Sequence, residues 1–336
     1  MASFDEVLKD CTKLGKKIPT SEYLENGKYP IIDQGQNDIA GYYDSDEGLF
    51  EDVPTIVFGD HTRVVKYVDK PCFLGADGVK LLCPVDKDIN CKYLFYQLSY
   101  ADIPNTGYNR HFKWVKALDF KIPSSDKQNH VVEVLDKVTE LISLRKQQLA
   151  KLDELVKARF VEMFGNKDYP RMKWNNVFNT TTGKLDSNAA VANGKYPFFT
   201  CSKEPLKIDS YAFDQTALLL AGNNAAGKYD VKYYQGKFNA YQRTYVLSLK
   251  HNWSYKLFQY QLEDKLLYLQ TKSLGGLTKY LTLKILGELD FIVPPLALQN
   301  EFAAFVEHVD QQKQTVQQSL EKLELMKKAL MQEYFG

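Results

Sequence analysis

The sequence has little of what marks a secreted, membrane-spanning or metal-binding protein. Its five cysteines are odd in number and show no C-x-x-C spacing, which favours reduced thiols over a disulfide framework. Five scattered histidines form no H-x-x-x-H pattern and no Cys/His cluster, so we expect no metal site. We find no long apolar run and no signal peptide, and the sequence therefore predicts a cytoplasmic protein.

An excess of positive charge is also missing. Lys+Arg number 43 and Asp+Glu 42, which gives a formal net charge of +1. DNA-binding surfaces usually carry excess Lys and Arg, so the total does not point to nucleic acid, although local patches decide binding. With 44% hydrophobic and 13% aromatic residues over 336 positions, the chain is ordered and has room for two or three domains.

The most regular stretch runs from residue 123 to 165. Its apolar residues follow the alternating spacing of four and three that lets one helix run against another as a coiled coil. Residues that form helices well dominate, and the predicted helix would be about 60 Å long. The seam consists of Val131, Leu135, Val138, Ile142, Leu149, Leu152, Val156 and Met163, with Arg145 and Arg159 at the two remaining positions.

A second stretch, 294–336, repeats this pattern at an offset of 171 and supplies the partner helix. We interpret the basic residues of both seams mainly as polar positions that fix the register of the pair. The second seam consists of Phe302, Val306, Val309, Lys313, Val316, Leu320, Leu323, Lys327, Leu330 and Tyr334.

The repeat extends into the segments before each helix. The sequence NGKYP occurs at 26–30 and again at 193–197, so the duplicated unit is a globular segment followed by a long helix. We predict an α+β protein with two globular mixed α/β domains, joined by two long antiparallel coiled-coil helices and related by a pseudo-twofold. The expected boundaries are 1–122 and 166–293 for the globular domains, and 123–165 and 294–336 for the helices.

Within the globular segments the pattern predicts strands and short helices in the same order twice. In the first, 55–68 is typical of strand, turn and strand, 79–83 of a strand, 91–100 of a buried helix, and 106–116 of a polar, aromatic loop. In the second, we expect a strand at 217–222, a hairpin at 227–238, a strand at 243–250 and a helix at 254–271.

No catalytic constellation is apparent. The sequence GNNAAGKY at 222–229 fits G-x-x-x-x-G-K, but a phosphate-binding loop needs Ser or Thr next and then a helix. Tyr229 stands at that position, and a strand-like alternation follows. A glycine turn between strands is the better interpretation, and nucleotide hydrolysis stays a minor alternative.

Several loops combine cations, amides and aromatic rings, the side chains that neutralise phosphates, contact base edges and stack. Each residue alone could be an ordinary solvated loop residue, but such groups occur in both halves. We rate Arg243 highest, since it begins a strand behind an aromatic residue and a glutamine. The DNA-binding candidates are Asp60, His61, Arg63, Tyr108, Asn109, Arg110, His111 and Lys113 in the first half, and Asn223, Asn224, Lys228, Tyr241, Gln242, Arg243, Lys272, Ser273 and Lys279 in the second.

The duplicated order resembles the specificity (S) subunits of type I restriction–modification systems over essentially the whole chain. The similar segments are Phe120–Pro123 with Gln128, Phe291–Pro295 with Gln299, the two NGKYP sequences and Tyr234–Phe238. The resemblance implies two target-recognition domains, each recognising one half of a bipartite, asymmetric DNA site, with the helix pair setting the spacer between them.

The same resemblance implies partners and cofactors. Two methyltransferase (M) subunits would dock on the helices and recognition domains, and restriction (R) subunits would join them. S-adenosylmethionine, ATP and Mg²⁺ would belong to those partners, so this chain itself would be a non-catalytic DNA-binding subunit without a cofactor. The alternatives are the specificity chain of a related fused restriction system and a coiled-coil scaffold with no nucleic-acid role.

Overall fold

A computed structural model describes residues 1–75, 77–165, 167–225 and 227–336. The chain falls into two units: one comprises 1–147 and 317–336, the other 148–316. Each unit therefore contains one globular segment and half of each long helix. This is an α+β fold with two mixed α/β segments and a long helix pair, as the sequence predicts.

The first unit is built on two sheets. The four-stranded antiparallel sheet has the order β2-β8-β5-β6, and in the three-stranded sheet, β4-β3-β7, strand β3 runs parallel to β7. Strands β1 and β9 pair with each other as a separate antiparallel ribbon. The strands are β1 (Ala2–Ser3), β2 (Leu8–Asp10), β3 (Tyr29–Ile32), β4 (Gly41–Tyr43), β5 (Thr55–Gly59), β6 (Val65–Val68), β7 (Phe73–Leu74), β8 (Val79–Pro84) and β9 (Asp119–Phe120). The helices are α1 (Phe4–Val7), α2 (Cys91–Tyr100), α3 (Phe112–Val115) and α4 (Ser125–Phe164).

Strand β5 is buried on both faces, which explains its continuous apolar sequence. Because successive side chains of a strand point to opposite faces, Ile56 and Phe58 join one apolar cluster with helix α2. Val57 joins a different cluster with Leu81. The predicted strands at 55–68 and 79–83 and the helix at 91–100 are confirmed.

The second unit has a six-stranded sheet of order β11-β17-β14-β16-β12-β13, in which only the described pair β12 and β16 runs parallel. Two-stranded ribbons pair β10 with β19 and β15 with β18. The strands are β10 (Arg171–Lys173), β11 (Phe178–Thr182), β12 (Tyr196–Phe199), β13 (Leu206–Ile208), β14 (Phe213–Ala221), β15 (Asn223–Asn224), β16 (Val231–Ala240), β17 (Thr244–Leu249), β18 (Lys279–Tyr280) and β19 (Asp290–Ile292). The helices are α5 (Trp174–Val177), α6 (Tyr255–Asp264), α7 (Leu266–Lys272), α8 (Leu283–Gly287) and α9 (Leu296–Phe335).

The central strand β14 repeats the arrangement of β5. Leu218 and Leu220 contribute to the cluster under helix α6, while Ala217 and Leu219 contribute to the cluster on the opposite face. Strand β16 pairs with β14 on one side and with β12 on the other. In the first unit two separate strands make the corresponding contacts: β6 pairs with β5, and β7 pairs with β3. The repeat thus extends to strand order.

Three local predictions were wrong. Residues 227–238 do not form a hairpin, because β16 continues through Gly236, whose φ of +126° a glycine adopts without strain. Residues 254–271 form two helices, α6 and α7, interrupted at Lys265. The loop at 106–116 contains helix α3.

The long helices begin just after prolines. Proline lacks a backbone N–H, and at the start of a helix this N–H would have no acceptor within the helix. In each unit the two half-helices run antiparallel. In the first, Leu135 packs in one cluster with Met331, and Arg145 Nε, further along α4, donates to Ser319 Oγ, earlier on α9, at 3.2 Å. In the second, Arg159 pairs with Glu301 at 2.7 Å, whereas Asp153, earlier on α4, pairs with the later residue Lys313. The apolar seam residues are buried or half-buried in both helices, and Lys313 lies against Asp153.

Candidate nucleic-acid interface

The turn between β5 and β6 positions Arg63 in the first unit. Arg63 has φ +62°, a left-handed conformation uncommon outside glycine. Its guanidinium Nη1 donates to the carbonyl oxygen of Ile103 at 3.0 Å. The guanidinium therefore ties this turn to the loop that precedes helix α3, and part of its donor capacity is used within the protein.

The loop 104–110 carries the most exposed aromatic ring of this region. Tyr108 is 87% exposed and stacks on His61, with ring centroids 4.7 Å apart and planes 8° from parallel. Gly107 has φ +77°, and Asn109 Nδ2 donates to the carbonyl oxygen of Thr106 at 2.5 Å. These contacts hold a stacked pair of rings, of which Tyr108 is exposed and His61 is half-buried.

Asp60 and His111 have a different role from the one predicted, because both are buried. The Asp60 carboxylate accepts a hydrogen bond from the Phe112 backbone N–H at 2.7 Å. The Asp60 carbonyl accepts from the His111 backbone N–H at 2.8 Å and lies 2.9 Å from His111 Nδ1. The second ring nitrogen, Nε2, lies 3.3 Å from Thr106 Oγ1. Because the polar atoms of Asp60 and His111 have hydrogen-bond partners within the protein, the two residues hold the loop in place and are not available to bases.

Sequence analysis missed Gln34, which joins three segments of this region. Its Oε1 accepts from the His61 N–H at 3.2 Å, its Nε2 donates to the Asp77 carbonyl at 3.1 Å, and its own carbonyl accepts from Thr62 Oγ1 at 2.6 Å. The polar run 33–38 around it was a possible signal, but its partners lie far away in the sequence. Of the remaining candidates, Arg110 and Lys113 are exposed, and the Lys113 ammonium lies 4.1 Å from the Trp114 ring centre.

In the second unit, the short ribbon β15-β18 brings several candidates together. Asn223 pairs with Tyr280, and Asn224 pairs with Lys279. The Gly222 N–H donates to the Arg243 carbonyl at 2.8 Å, and a Cβ at Gly222 would lie 2.3 Å from that oxygen. Only glycine allows this approach, which joins the 222–224 and 241–243 segments.

Cys201 adds a further segment that sequence analysis did not identify. Its Sγ donates to Asn223 Oδ1 at 2.7 Å, and burial raises the pKa of the thiol, which keeps the donor proton in place. This contact brings loop 200–204 next to the ribbon β15-β18, and we call this part of the second unit its ribbon edge. No residue spacing in the sequence signalled the pairing.

The remaining candidates of the second unit lie around this edge. Gln242 Nε2 donates to Asp186 Oδ2 at 3.3 Å, its backbone N–H donates to the Leu185 carbonyl at 2.9 Å, and the Arg243 side chain is exposed. Ser273 Oγ donates to the Gln270 carbonyl at 2.7 Å. Tyr241 and Lys279 are half-buried, and Lys228 and Lys272 are exposed.

The glycine-rich turn 222–229 lacks the geometry of a phosphate-binding loop. Tyr229 is buried, and the segment that follows forms strand β16 instead of a helix; Ala226 lies outside the described residues. Among the described residues, no group of three His, Cys, Asp or Glu side chains is placed to hold a metal ion. The described helices also include none that is long and apolar enough to cross a bilayer.

Comparison with known proteins gives a consistent result. The family described as "Type I restriction modification DNA specificity domain" matches residues 5–154 and again 166–325. The chain is similar to the type I restriction enzyme EcoDI specificity subunit of Escherichia coli, with 51% identity over 80 residues, 24% of this chain and 17% of that protein. The EcoR124I/EcoR124II specificity subunit of E. coli is 24% identical over 151 residues, 39% of this chain and 37% of that protein. The matched parts thus span well under half the length of these relatives.

Two solved structures have a similar fold. The S subunit of a type I restriction–modification system from M. genitalium has a TM-score of 0.61 and 19% identity, and the match covers 99% of this chain and 95% of that one. A chain from a study of complex assembly and conformational transition of the type I R-M system has a TM-score of 0.51 and 14% identity, with 99% and 95% coverage. At these identities the likeness establishes the fold.

Proposed function

Because the chain belongs to the type I restriction–modification DNA specificity family, we propose that it selects the DNA sequence on which a type I restriction–modification complex acts. The observation that carries this proposal is that the family match occurs twice, once over each globular segment and the helix that follows it. Each segment, 1–122 and 166–293, recognises one half of a bipartite, asymmetric target.

The exposed candidates support this assignment in both units. In the first, Tyr108 offers a ring for stacking or methyl contact, and Arg110 and Lys113 offer cations. In the second, the Arg243 side chain is exposed, and its backbone carbonyl accepts from the N–H of Gly222, the residue before Asn223 and Asn224. Arginine can bind guanine, and asparagine adenine, through two hydrogen bonds.

The helices α4 and α9 set the distance between the half-sites and dock methyltransferase subunits, to which restriction subunits bind. S-adenosylmethionine, ATP and Mg²⁺ are held by those subunits, which carry out adenine methylation and ATP-dependent cleavage. This chain contributes recognition and no catalytic step. Such a complex works in the cytoplasm, where the DNA is.

The test is single-molecule methylation sequencing of the source strain with and without this gene. We expect deletion to remove one bipartite methyladenine motif, and complementation with Arg243→Ala to relax one half-site only. A base contact by Arg243 corresponds to a discrimination of about 1–3 kcal/mol. An unchanged methylome, in a strain whose partner methyltransferase is expressed, would contradict the proposal.

A further inference from the structure

The near-neutral total charge hides a difference between the two globular segments. Residues 1–122 contain 15 Lys+Arg and 19 Asp+Glu, a net charge of −4. Residues 166–293 contain 17 Lys+Arg and 10 Asp+Glu, a net charge of +7. Two segments of the same fold family therefore differ by eleven charges.

In the second unit, cations collect at the edge defined above. Hydrogen bonds join five segments there: Gln242 to Leu185 and Asp186, Cys201 to Asn223, Gly222 to Arg243, and β15 to β18. Lys279 also packs within 3.5 Å of where a Cβ of Gly227 would lie. Leu274 and Tyr280 exchange backbone hydrogen bonds, which adds the segment that follows Lys272. The basic side chains on or next to these segments, hereafter the basic edge, are Lys184, Lys203, Lys228, Arg243 and Lys272, which are exposed, and Lys279, which is half-buried.

Few carboxylates neutralise the basic edge. Asp230 lies against Lys232, and Asp186 accepts a hydrogen bond from Gln242. Glu204 is the other acid on the joined segments. Within the described parts of the chain, none of the six cations lies within ion-pair distance of a carboxylate. Their charge is therefore available to an anionic partner.

The corresponding region of the first unit is different. Lys66 is buried against Asp33 at 3.3 Å, Lys17 pairs with Asp77 at 3.2 Å, and Arg63 is bonded to a backbone carbonyl. Arg110 and Lys113 are the exposed cations of the loop that carries Tyr108. This region offers flat rings and hydrogen-bonding groups with little excess positive charge.

We propose that the two units divide DNA binding unequally, and this inference rests on the proposed function. The basic edge of the second unit supplies most of the salt-dependent phosphate contacts of this chain, which hold any duplex. The first unit contributes discrimination through its stacked rings and adds little electrostatic affinity. The physical basis is that phosphate contacts give affinity without sequence preference, whereas base contacts give the preference.

The experiment measures binding of the full-length chain to a 40-base-pair duplex of arbitrary sequence at several KCl concentrations. Two exposed cations are changed in each unit: Lys203→Gln with Lys228→Gln in the second, and Arg110→Gln with Lys113→Gln in the first. Each phosphate contact contributes about 0.9 to the slope of log K against log salt. We expect the second-unit pair to reduce the slope by about 2 and the first-unit pair by less than about 0.5.

Tyr108→Ala is the complementary variant. It should leave the salt slope unchanged while relaxing one half-site in the methylation assay. Equal loss of slope from both pairs, or no salt-dependent binding by the chain, would overturn the unequal division. Neither outcome affects the methylation result, which tests the proposed function separately.

Discussion

Gln128 and Gln299, at matching positions of the two repeats, make the same two hydrogen bonds. Gln128 Oε1 accepts from the Asn90 N–H at 2.9 Å, and its Nε2 donates to the Pro123 carbonyl at 2.8 Å. Gln299 Oε1 accepts from the Ser254 N–H at 3.0 Å, and its Nε2 donates to the Pro294 carbonyl at 2.8 Å. Both side chains are buried. Each glutamine thus fastens the residue that caps α2 or α6 to the start of a long helix.

We expect Gln128→Ala to lower the free energy of unfolding by about 1–3 kcal/mol, because it leaves the half-buried Asn90 N–H and Pro123 carbonyl without their partner. Gln299→Ala should cost a similar amount in the second unit. Urea unfolding followed by circular dichroism measures both. Gln318→Ala, an exposed glutamine on α9, is the matched control and should change stability by less than about 0.5 kcal/mol. A Gln128→Ala effect no larger than that of the control would contradict the assignment.

Substitution of Asp60 should affect stability, whereas substitution of Tyr108 should affect DNA recognition. Asp60→Ala removes the buried acceptor of the Phe112 N–H, so we expect a loss of about 1–3 kcal/mol in stability. Tyr108→Ala removes an exposed ring and should leave the free energy of unfolding within about 0.5 kcal/mol of wild type, while relaxing one half-site. Parallel urea unfolding and methylation sequencing check the contrast. If Tyr108→Ala destabilised as much as Asp60→Ala, the ring would be part of the core.

These two residues also show where sequence reasoning succeeds and where it stops. The helix seams were predictable because a spacing of 3.5 residues is visible locally. The exposed position of Tyr108 followed from a polar loop with a glycine. The burial of Asp60 and His111 did not, because their partners lie up to 52 residues apart, and buried polar groups look like solvated ones until the fold pairs them.

The same limit explains the errors in the second unit. Residues 227–238 contain two glycines, and a turn is the usual reason for glycine between strand-like segments. The long pairing of β16 with β14 decides otherwise, and the sequence of one segment does not contain it. The contact between Cys201 and Asn223 is likewise a product of tertiary structure.

Lys327 and Lys313 occupy seam positions but differ in their surroundings. Burial lowers the pKa of Lys327, nearby Lys146 lowers it further, and Asp136 opposes both. Lys313 has Asp153 beside it. We expect Lys327→Met to raise the free energy of unfolding by up to about 1 kcal/mol, because an ammonium is no longer desolvated. Lys313→Met should leave stability unchanged or lower it by up to about 1 kcal/mol. Equal stabilisation by both changes in urea unfolding would show that the ion pair contributes nothing.

Buried thiols should make the first unit sensitive to alkaline pH. Burial raises the pKa of Cys72 from 9.0 to about 12, and that of Cys91 likewise to about 12. Between pH 9 and about 12 the two thiols lose their protons in the unfolded chain but retain them in the folded chain. Stability is therefore full below pH 9 and falls as the pH rises toward 12, by about 1.4 kcal/mol per pH unit and thiol. Urea unfolding at pH 8, 9 and 10 should show a shallower decline for Cys72→Ala. Identical pH slopes would contradict the shift at Cys72.

The last prediction concerns the helix pair as the determinant of the spacer. Deleting 141–147 together with 317–323 removes one heptad from each helix, including Arg145 and its hydrogen-bond partner Ser319. Lys146 is also removed, whereas Glu324, its ion-pair partner at 3.3 Å, is retained. Because seven residues preserve the seam, the helices should still pair. They would be about 10 Å shorter, so we expect the spacer of the methylated motif to shorten by about 3 base pairs, at about 3.4 Å per pair.

Deleting only 141–147 is the control for this change. The seam of α4 would then lack one heptad that α9 retains, the polar pairs would lose their partners, and methylation should disappear through loss of folding. If matched deletion left a folded protein that methylated the original motif with its original spacer, the helices would not set the distance. The spacer would then have to be fixed by partner subunits, since the half-site contacts of the two globular segments are unchanged.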